Sequence, residues 1–87
     1  MPTNKFISEL AQVLVKIKDK KTAEDFLVNI LTPKELDEVS RRLQIVKMLK
    51  KGMAQREIAE KLHVSIGTVS RGSRELQYGP KGFHAVL

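Results

Sequence analysis

The sequence predicts an all-α domain with a helix-turn-helix near its carboxyl end. Apolar residues recur at helical spacing along most of the 87 residues, and no segment alternates as a β-strand does. The segment QREIAEKLHVSIGTVSRGSREL, residues 55–76, places small and apolar positions where two short helices would cross over a tight turn. We therefore expect one domain over residues 1–87, with core and dimerisation helices in 1–52, the helix-turn-helix in 54–76 and a tail in 78–87.

Composition and charge narrow the class of protein. The chain carries 16 Lys and Arg against 10 Asp and Glu, a net charge of +6, and no cysteine. Residues 1–40 hold 6 basic and 7 acidic side chains, whereas residues 41–87 hold 10 and 3. A basic half that contains the helix-turn-helix is typical of a nucleic-acid binder. Without cysteine, a signal sequence or a long apolar run, we expect a cytoplasmic protein with no membrane partner.

Two helices are predicted before residue 31. Residues 4–18 have apolar side chains at helical spacing, which predicts an amphipathic helix. A polar break follows at residues 19–21. Thr22, with Asp25 three residues later, is a capping signal for a short helix that runs through Ile30.

A long helix is predicted from Thr32 onwards. Thr32 can cap, Pro33 suits the first helical position and Glu35 can reach back to the amide of the cap. Gly52 is expected to end the helix. One predicted apolar face contains Leu36, Val39, Leu43, Val46 and Leu49.

The helix-turn-helix itself divides into two helices, over residues 54–61 and 66–76. His63 and Val64 are predicted to form the turn, and Ser65 to cap the second helix. The glycines and proline of residues 78–82 cannot continue a helix, and we assign none to the tail.

The second helix of such a motif presents its outer face to the DNA major groove. Side chains on that face can bond base edges or phosphates, or contact a thymine methyl. The first helix begins where backbone amides and an arginine can meet a phosphate. The predicted DNA-contacting residues are Gln55, Arg56, Ile66, Gly67, Thr68 and Ser70.

Gly72 does not fit an ordinary helix-turn-helix, which would place an apolar side chain there. Glycine inside a helix costs about 1 kcal/mol relative to alanine and usually marks close approach by another backbone or by a ligand. One explanation is tight helix packing, which the residues alone favour. The other is a flat ligand, for which Arg42 and Arg71 could supply carboxylate pairing and stacking.

Between Leu31 and Leu76 the chain resembles the tryptophan repressor family. The resemblance rests on Leu31-Thr32-Pro33, Arg42, Gln55-Arg56-Glu57 and Thr68-Val69-Ser70-Arg71-Gly72-Ser73. It implies an intertwined all-helical homodimer that binds double-stranded DNA at palindromic operators, with L-tryptophan as corepressor. It also implies that the six predicted DNA contacts occupy operator-contacting positions.

The resemblance further implies a corepressor pocket. The indole would lie between Arg42 and Arg71, with Gly72 making room beside the ring. Leu31 and Thr32 would line the side contributed by the dimer partner. This implication places the ligand explanation of Gly72 ahead of the packing explanation.

The chain departs from the family in three places. Glu75 stands where the family has a serine near the ligand ammonium, and Asn29 replaces an apolar pocket residue. The tail lacks the full last helix and is similar to the YerC/YecD-type branch of Trp-repressor-related proteins. A ligand-independent regulator of that type is therefore an alternative to the corepressor-controlled repressor.

No residue pattern indicates an enzyme. His63 and His84 lie far apart without a third metal ligand, and Ser70 and Ser73 have no neighbouring base. We expect no catalytic residue, no metal and no cofactor other than the corepressor. A third function, a helical protein–protein adaptor that uses residues 4–18 and the long helix, stays open at this point.

Overall fold

The computed structural model describes residues 2–87, and all regular elements in that range are helices. They are α1 (Pro2–Leu14), α2 (Lys20–Ile30), α3 (Pro33–Lys50), α4 (Gln55–Leu62), α5 (Ile66–Tyr78) and α6 (Gly82–Val86). The predicted all-α class is confirmed. The chain forms two compact units, Met1–Leu36 and Asp37–Leu87, whose boundary lies within α3.

The first two helices differ from the prediction at their ends. Helix α1 stops at Leu14 rather than residue 18, because the amides of Lys16 and Ile17 bond to carbonyls only three residues earlier. The Ile17 N–H donates to Leu14 O over 3.1 Å. The N-cap of α2 is Asp19 and not Thr22. Asp19 Oδ2 accepts from Thr22 N–H at 3.0 Å and Oδ1 accepts from the Thr22 hydroxyl at 2.8 Å. The break at residues 19–21 thus contains the cap itself.

The capping box predicted for α3 is confirmed. The Thr32 N–H donates to Glu35 Oε1 at 2.8 Å, and the Glu35 N–H donates to Thr32 Oγ1 at 3.1 Å. The bond from the Thr32 N–H, and after it the Thr32 hydroxyl, stabilises the Glu35 carboxylate, so the pKa of Glu35 lies below its ordinary value of 4.5. At the other end Gly52 adopts a φ of +85°, which favours glycine, and α3 ends before it as predicted.

The core of the C-terminal unit lies where α3, α4 and α5 meet. Ile45, Ile58 and Val69 are buried together, and the partly buried side chains around them are Met48, Leu49, Met53, Ala59, Leu62 and Val64. Of the predicted apolar face of α3, Val46 is fully buried and Leu49 packs against this core. Val39 and Leu43, earlier on the same face, are 40% and 39% exposed in the single chain.

The tail forms a short helix that the sequence analysis did not assign. Helix α5 continues to Tyr78, and α6 follows after Gly79 and Pro80. The His84 ring donates from Nε2 to the Leu76 carbonyl oxygen at 3.1 Å, which ties α6 to the last part of α5.

Candidate functional site

Helices α4 and α5 form the predicted helix-turn-helix. Helix α4 ends at Leu62, His63 adopts a left-handed conformation with a φ of 56°, and Ser65 caps α5. Ile58 and Val69, which join the two helices, are fully buried. The buried crossing leaves the first turn of α5 on the surface.

The first turn of α5 combines a strong cap with short exposed side chains. The Ser65 hydroxyl accepts from Thr68 N–H at 3.0 Å and lies 2.8 Å from the Thr68 hydroxyl. Ile66 is 51% exposed, and no atom lies closer than 3.8 Å to the place of a Cβ on Gly67. Both the amide and the hydroxyl of Thr68 thus contact the cap, and Thr68 is still exposed to solvent.

The six predicted DNA contacts fall into two groups. Arg56, Ile66, Gly67 and Thr68 are exposed. Gln55 and Ser70 are half-buried, and the Ser70 hydroxyl donates to Gln55 Oε1 at 2.8 Å. The bond joins the start of α4 to the middle of α5. The two side chains therefore contact each other directly.

An open cavity of about 810 Å³ lies within the C-terminal unit, between α3, α5, the turn and α6. It brings together four predicted ligand-site residues: Arg42, Arg71, Gly72 and Glu75. The other lining residues are Glu38, Arg41, Ile45, Val64, Thr68 and Phe83. The lining thus combines three guanidinium groups and two carboxylates with the apolar side chains of Ile45, Val64 and Phe83, a chemistry suited to a small molecule that carries both charges.

Sequence reasoning missed Glu38, Arg41 and Phe83. The helical period could have found Glu38, because it lies one turn before Arg42 on the same face of α3. No local pattern indicates Phe83, since the chain must first reverse at Gly79 and Pro80 before α6 reaches the cavity.

Gly72 is buried against α3. A Cβ placed on Gly72 would lie 3.0 Å from Ile45 Cγ2 and 3.9 Å from Leu49 Cδ1. The nearest atoms to the missing side chain therefore belong to the core, which supports the packing explanation. The glycine also lines the cavity, and its role toward a ligand stays a prediction.

Leu31 and Thr32 belong to the N-terminal unit. Leu31 is the C-cap of α2, its N–H donating to Leu27 O at 3.0 Å, and Thr32 caps α3. Both residues therefore have roles in ending and starting helices. Their predicted place beside a ligand, on the partner's side of the pocket, stays a prediction.

Residues 2–87 contain neither a cluster of metal-ligating side chains nor a membrane-spanning helix. No three His, Cys, Asp or Glu residues in that range are grouped so as to hold a metal ion. None of the helices found there has the length and apolar character needed to cross a membrane.

The residues 5–87 match the family model described as Trp repressor protein. The chain belongs to the Trp repressor family. The match includes the helix-turn-helix, all the residues around the cavity and the tail. It confirms the resemblance inferred from residues 31–76 and extends it over nearly the whole chain. The likeness of the tail to the YerC/YecD-type branch stays a prediction.

Individual relatives agree with this membership. A Trp operon repressor homolog of Actinobacillus succinogenes is 41% identical over 75 residues, covering 85% of this chain and 70% of the relative. One of Pasteurella multocida is 43% identical over 63 residues, covering 71% and 62%. This chain thus spans less than two thirds of the length of the Pasteurella relative. A crystal structure of a TrpR like protein from Eubacterium eligens has a TM-score of 0.85 at 34% identity, covering 94% of this chain and 84% of that one.

Proposed function

We propose that this chain is a sequence-specific DNA-binding transcriptional repressor that acts as a homodimer on palindromic operators. The observation that carries the proposal is the first turn of α5, which leaves Ile66, Gly67 and Thr68 exposed above a buried crossing. Membership of the Trp repressor family and the names of the relatives support a regulator rather than an enzyme. The basic charge of residues 41–87 supports contact with phosphates.

The two groups of DNA-facing residues have different roles in this proposal. Ile66 contacts thymine methyls and Thr68 bonds base edges or phosphates, whereas Arg56 pairs with a phosphate. Gln55 donates its amide N–H groups to the sugar–phosphate backbone of the DNA, since its side-chain oxygen already accepts from Ser70. Short neutral side chains on α5 imply that phosphate contacts and bridging water contribute much of the affinity.

The dimer proposal is supported by apolar side chains in the N-terminal unit. Phe6, Ile7 and Val28 are 70%, 60% and 63% exposed in the single chain. Apolar exposure on this scale indicates a surface that another chain covers, and a second copy would cover it symmetrically. Two copies would present two α5 helices to successive major grooves, about 34 Å apart.

We further propose an amino-acid corepressor, L-tryptophan, in the cavity. A guanidinium of Arg42 or Arg71 can pair with its carboxylate, the indole can stack between the two, and the Glu75 carboxylate can receive its ammonium. Leu31 and Thr32 of the partner subunit would close the pocket. To act as a corepressor, the ligand must bind the DNA-competent arrangement more tightly, and DNA must then raise ligand affinity by the same factor.

A ligand-independent regulator is the second candidate. It is favoured by the packing of Gly72 on Ile45, which explains the glycine without a ligand. Under this candidate the cavity carries no corepressor, and the operator affinity is the same with and without amino acid.

Calorimetry and operator binding with L-tryptophan decide between the two candidates. The corepressor proposal predicts heat of binding at millimolar ligand and a higher operator affinity in its presence. Arg71→Ala removes this response, whereas Arg74→Ala, an equal charge change on α5 outside the cavity lining, preserves it. No heat and an unchanged operator affinity would establish the ligand-independent regulator. Failure of the wild-type protein to bind any duplex would contradict both.

A further inference from the structure

Arg41 contacts the end of α4 from the wall of the cavity. Its Nη1 donates to the carbonyl oxygen of Leu62, the last residue of α4. Its Nε donates to Asp37 Oδ2 at 3.0 Å, one helical turn earlier on α3. The guanidinium is thus held by two acceptors, one on its own helix and one on the helix-turn-helix.

The Leu62 carbonyl is a position where such a donor has a large effect. The last carbonyls of a helix have no partner within it, and a positive charge there also interacts favourably with the helix dipole. Only residues 63–65 separate Leu62 from α5. A contact that holds the end of α4 therefore also restrains the place from which α5 starts.

We propose that Arg41 is a positioning residue for DNA binding. It holds the C-terminal end of α4 on α3 and thereby orients the first turn of α5, while Asp37 orients the guanidinium. Arg41 itself does not contact DNA in this proposal. The proposal rests on the DNA-binding function proposed above, but the contact at its centre can be measured without DNA.

Hydrogen exchange on the DNA-free protein tests the contact. The amides of His63 and Val64 bond back to α4, the Val64 N–H donating to Ala59 O at 3.1 Å, so their protection reports the order of its end. Arg41→Met keeps the side-chain stem but no donor, and we expect their protection to fall about tenfold, the size of a lost hydrogen bond to a charged group. Arg42→Met, with the same charge change beside the same cavity, leaves it unchanged.

Unchanged protection in Arg41→Met would overturn the proposal. Should that variant not fold by circular dichroism, Arg41→Lys serves instead. It keeps the charge but cannot bond Leu62 and Asp37 in the same fork, so we expect a smaller loss of protection at the same two amides. Protection in Arg41→Lys equal to that of the wild type would then overturn the proposal.

Duplex binding separates positioning from direct phosphate contact. The probe is a palindromic duplex selected from random sequence by the wild-type protein. We expect Arg41→Met to bind it about tenfold more weakly with an unchanged salt dependence. A slope of log K against log salt reduced by about 0.9 per chain would assign Arg41 to a phosphate and overturn the proposal. If the wild-type protein selects no duplex, the proposed function fails, and hydrogen exchange still decides whether Arg41 holds the end of α4.

Discussion

The Ser70 hydroxyl donates a hydrogen bond to Gln55 Oε1 across 2.8 Å and joins the two helices of the helix-turn-helix. The sequence placed both residues among the DNA contacts, and the structure pairs them with each other. Because the Gln55 oxygen is engaged, the N–H groups of its amide remain to donate elsewhere. Ser70 therefore contributes first to the geometry of the motif.

Replacing Ser70 with alanine leaves the half-buried Gln55 oxygen without its partner. We expect Ser70→Ala to lower the free energy of unfolding by about 1 kcal/mol, measured by urea denaturation. Ser73→Ala, on the same helix but outside the bond to Gln55, is the control and should change it by less than about 0.5 kcal/mol. Equal stability of Ser70→Ala and the wild type would show that the bond contributes nothing.

The two glycines of α5 make a matched pair. A Cβ at Gly67 would lie 3.8 Å from Ser65 Oγ, an ordinary van der Waals distance, so Gly67→Ala should raise the free energy of unfolding by up to about 1 kcal/mol through helix propensity. At Gly72 the new Cβ would lie 3.0 Å from Ile45 Cγ2, and overpacking costs about 1–3 kcal/mol. We expect the free energy of unfolding of Gly72→Ala to be equal to or lower than that of the wild type.

A double variant checks the cause. Leucine has no Cγ2 methyl on its β-carbon, so Ile45→Leu should relieve the contact made by Gly72→Ala. Thermal unfolding of the four proteins in the cycle should give a favourable coupling between the two substitutions. Additive effects would place the cost of alanine at Gly72 elsewhere than Ile45.

His63 is the one non-glycine residue of the described chain with a positive φ, at 56°. A residue with a side chain in the left-handed region is strained by about 1–2 kcal/mol. Glycine removes this strain, but it loses more backbone entropy on folding, so only part of the strain energy becomes a gain in stability. We expect His63→Gly to raise the free energy of unfolding by about 0.5–1 kcal/mol in urea. His63→Ala also removes the imidazole but keeps the strain, so an equal gain in both variants would contradict the backbone explanation.

The capping box of α3 makes stability depend on pH in acid. The pKa of Glu35 is lowered from 4.5 by the Thr32 N–H and hydroxyl, so the folded state binds its proton less readily than the unfolded state. Its stabilising contribution is present above about pH 4.5 and is lost as pH falls through the lowered pKa. We expect the Tm of Glu35→Gln to fall less between pH 5 and 3 than that of the wild type, by circular dichroism. Glu24→Gln matches the charge change outside the box, and an identical acid profile for both variants would contradict the assignment.

Much of the fold could be predicted from local signals, because caps act within three residues. Thr32 with Glu35, and Ser65 with Thr68, form the bonds that their spacing indicates. The cap at Asp19 was missed because the polar residues 19–21 are equally consistent with a break between two helices. Burial was harder to predict: Ile45 packs on α4 and α5, whereas Leu43 does not, and periodicity alone cannot say which side of α3 the neighbours occupy.

The residues that line the cavity likewise divide into those that the sequence could indicate and those that depend on tertiary structure. Arg42, Arg71, Gly72 and Glu75, which the family resemblance groups around a ligand, all line the cavity, and their role toward a ligand stays a prediction. Phe83 lines the cavity only because the chain reverses direction after Tyr78. No periodic pattern in the local sequence predicts that reversal.

The salt dependence of duplex binding by the wild-type protein tests the central claim most directly. Fluorescence anisotropy would compare a selected palindromic duplex with a scrambled duplex of equal length over a range of NaCl concentrations. For a repressor, log K falls linearly with log salt by about 0.9 per phosphate contacted, and the palindrome binds about 10³-fold or more tightly than the scrambled duplex. Equal affinity for the two duplexes, or no binding at low salt, would contradict a sequence-specific DNA-binding function.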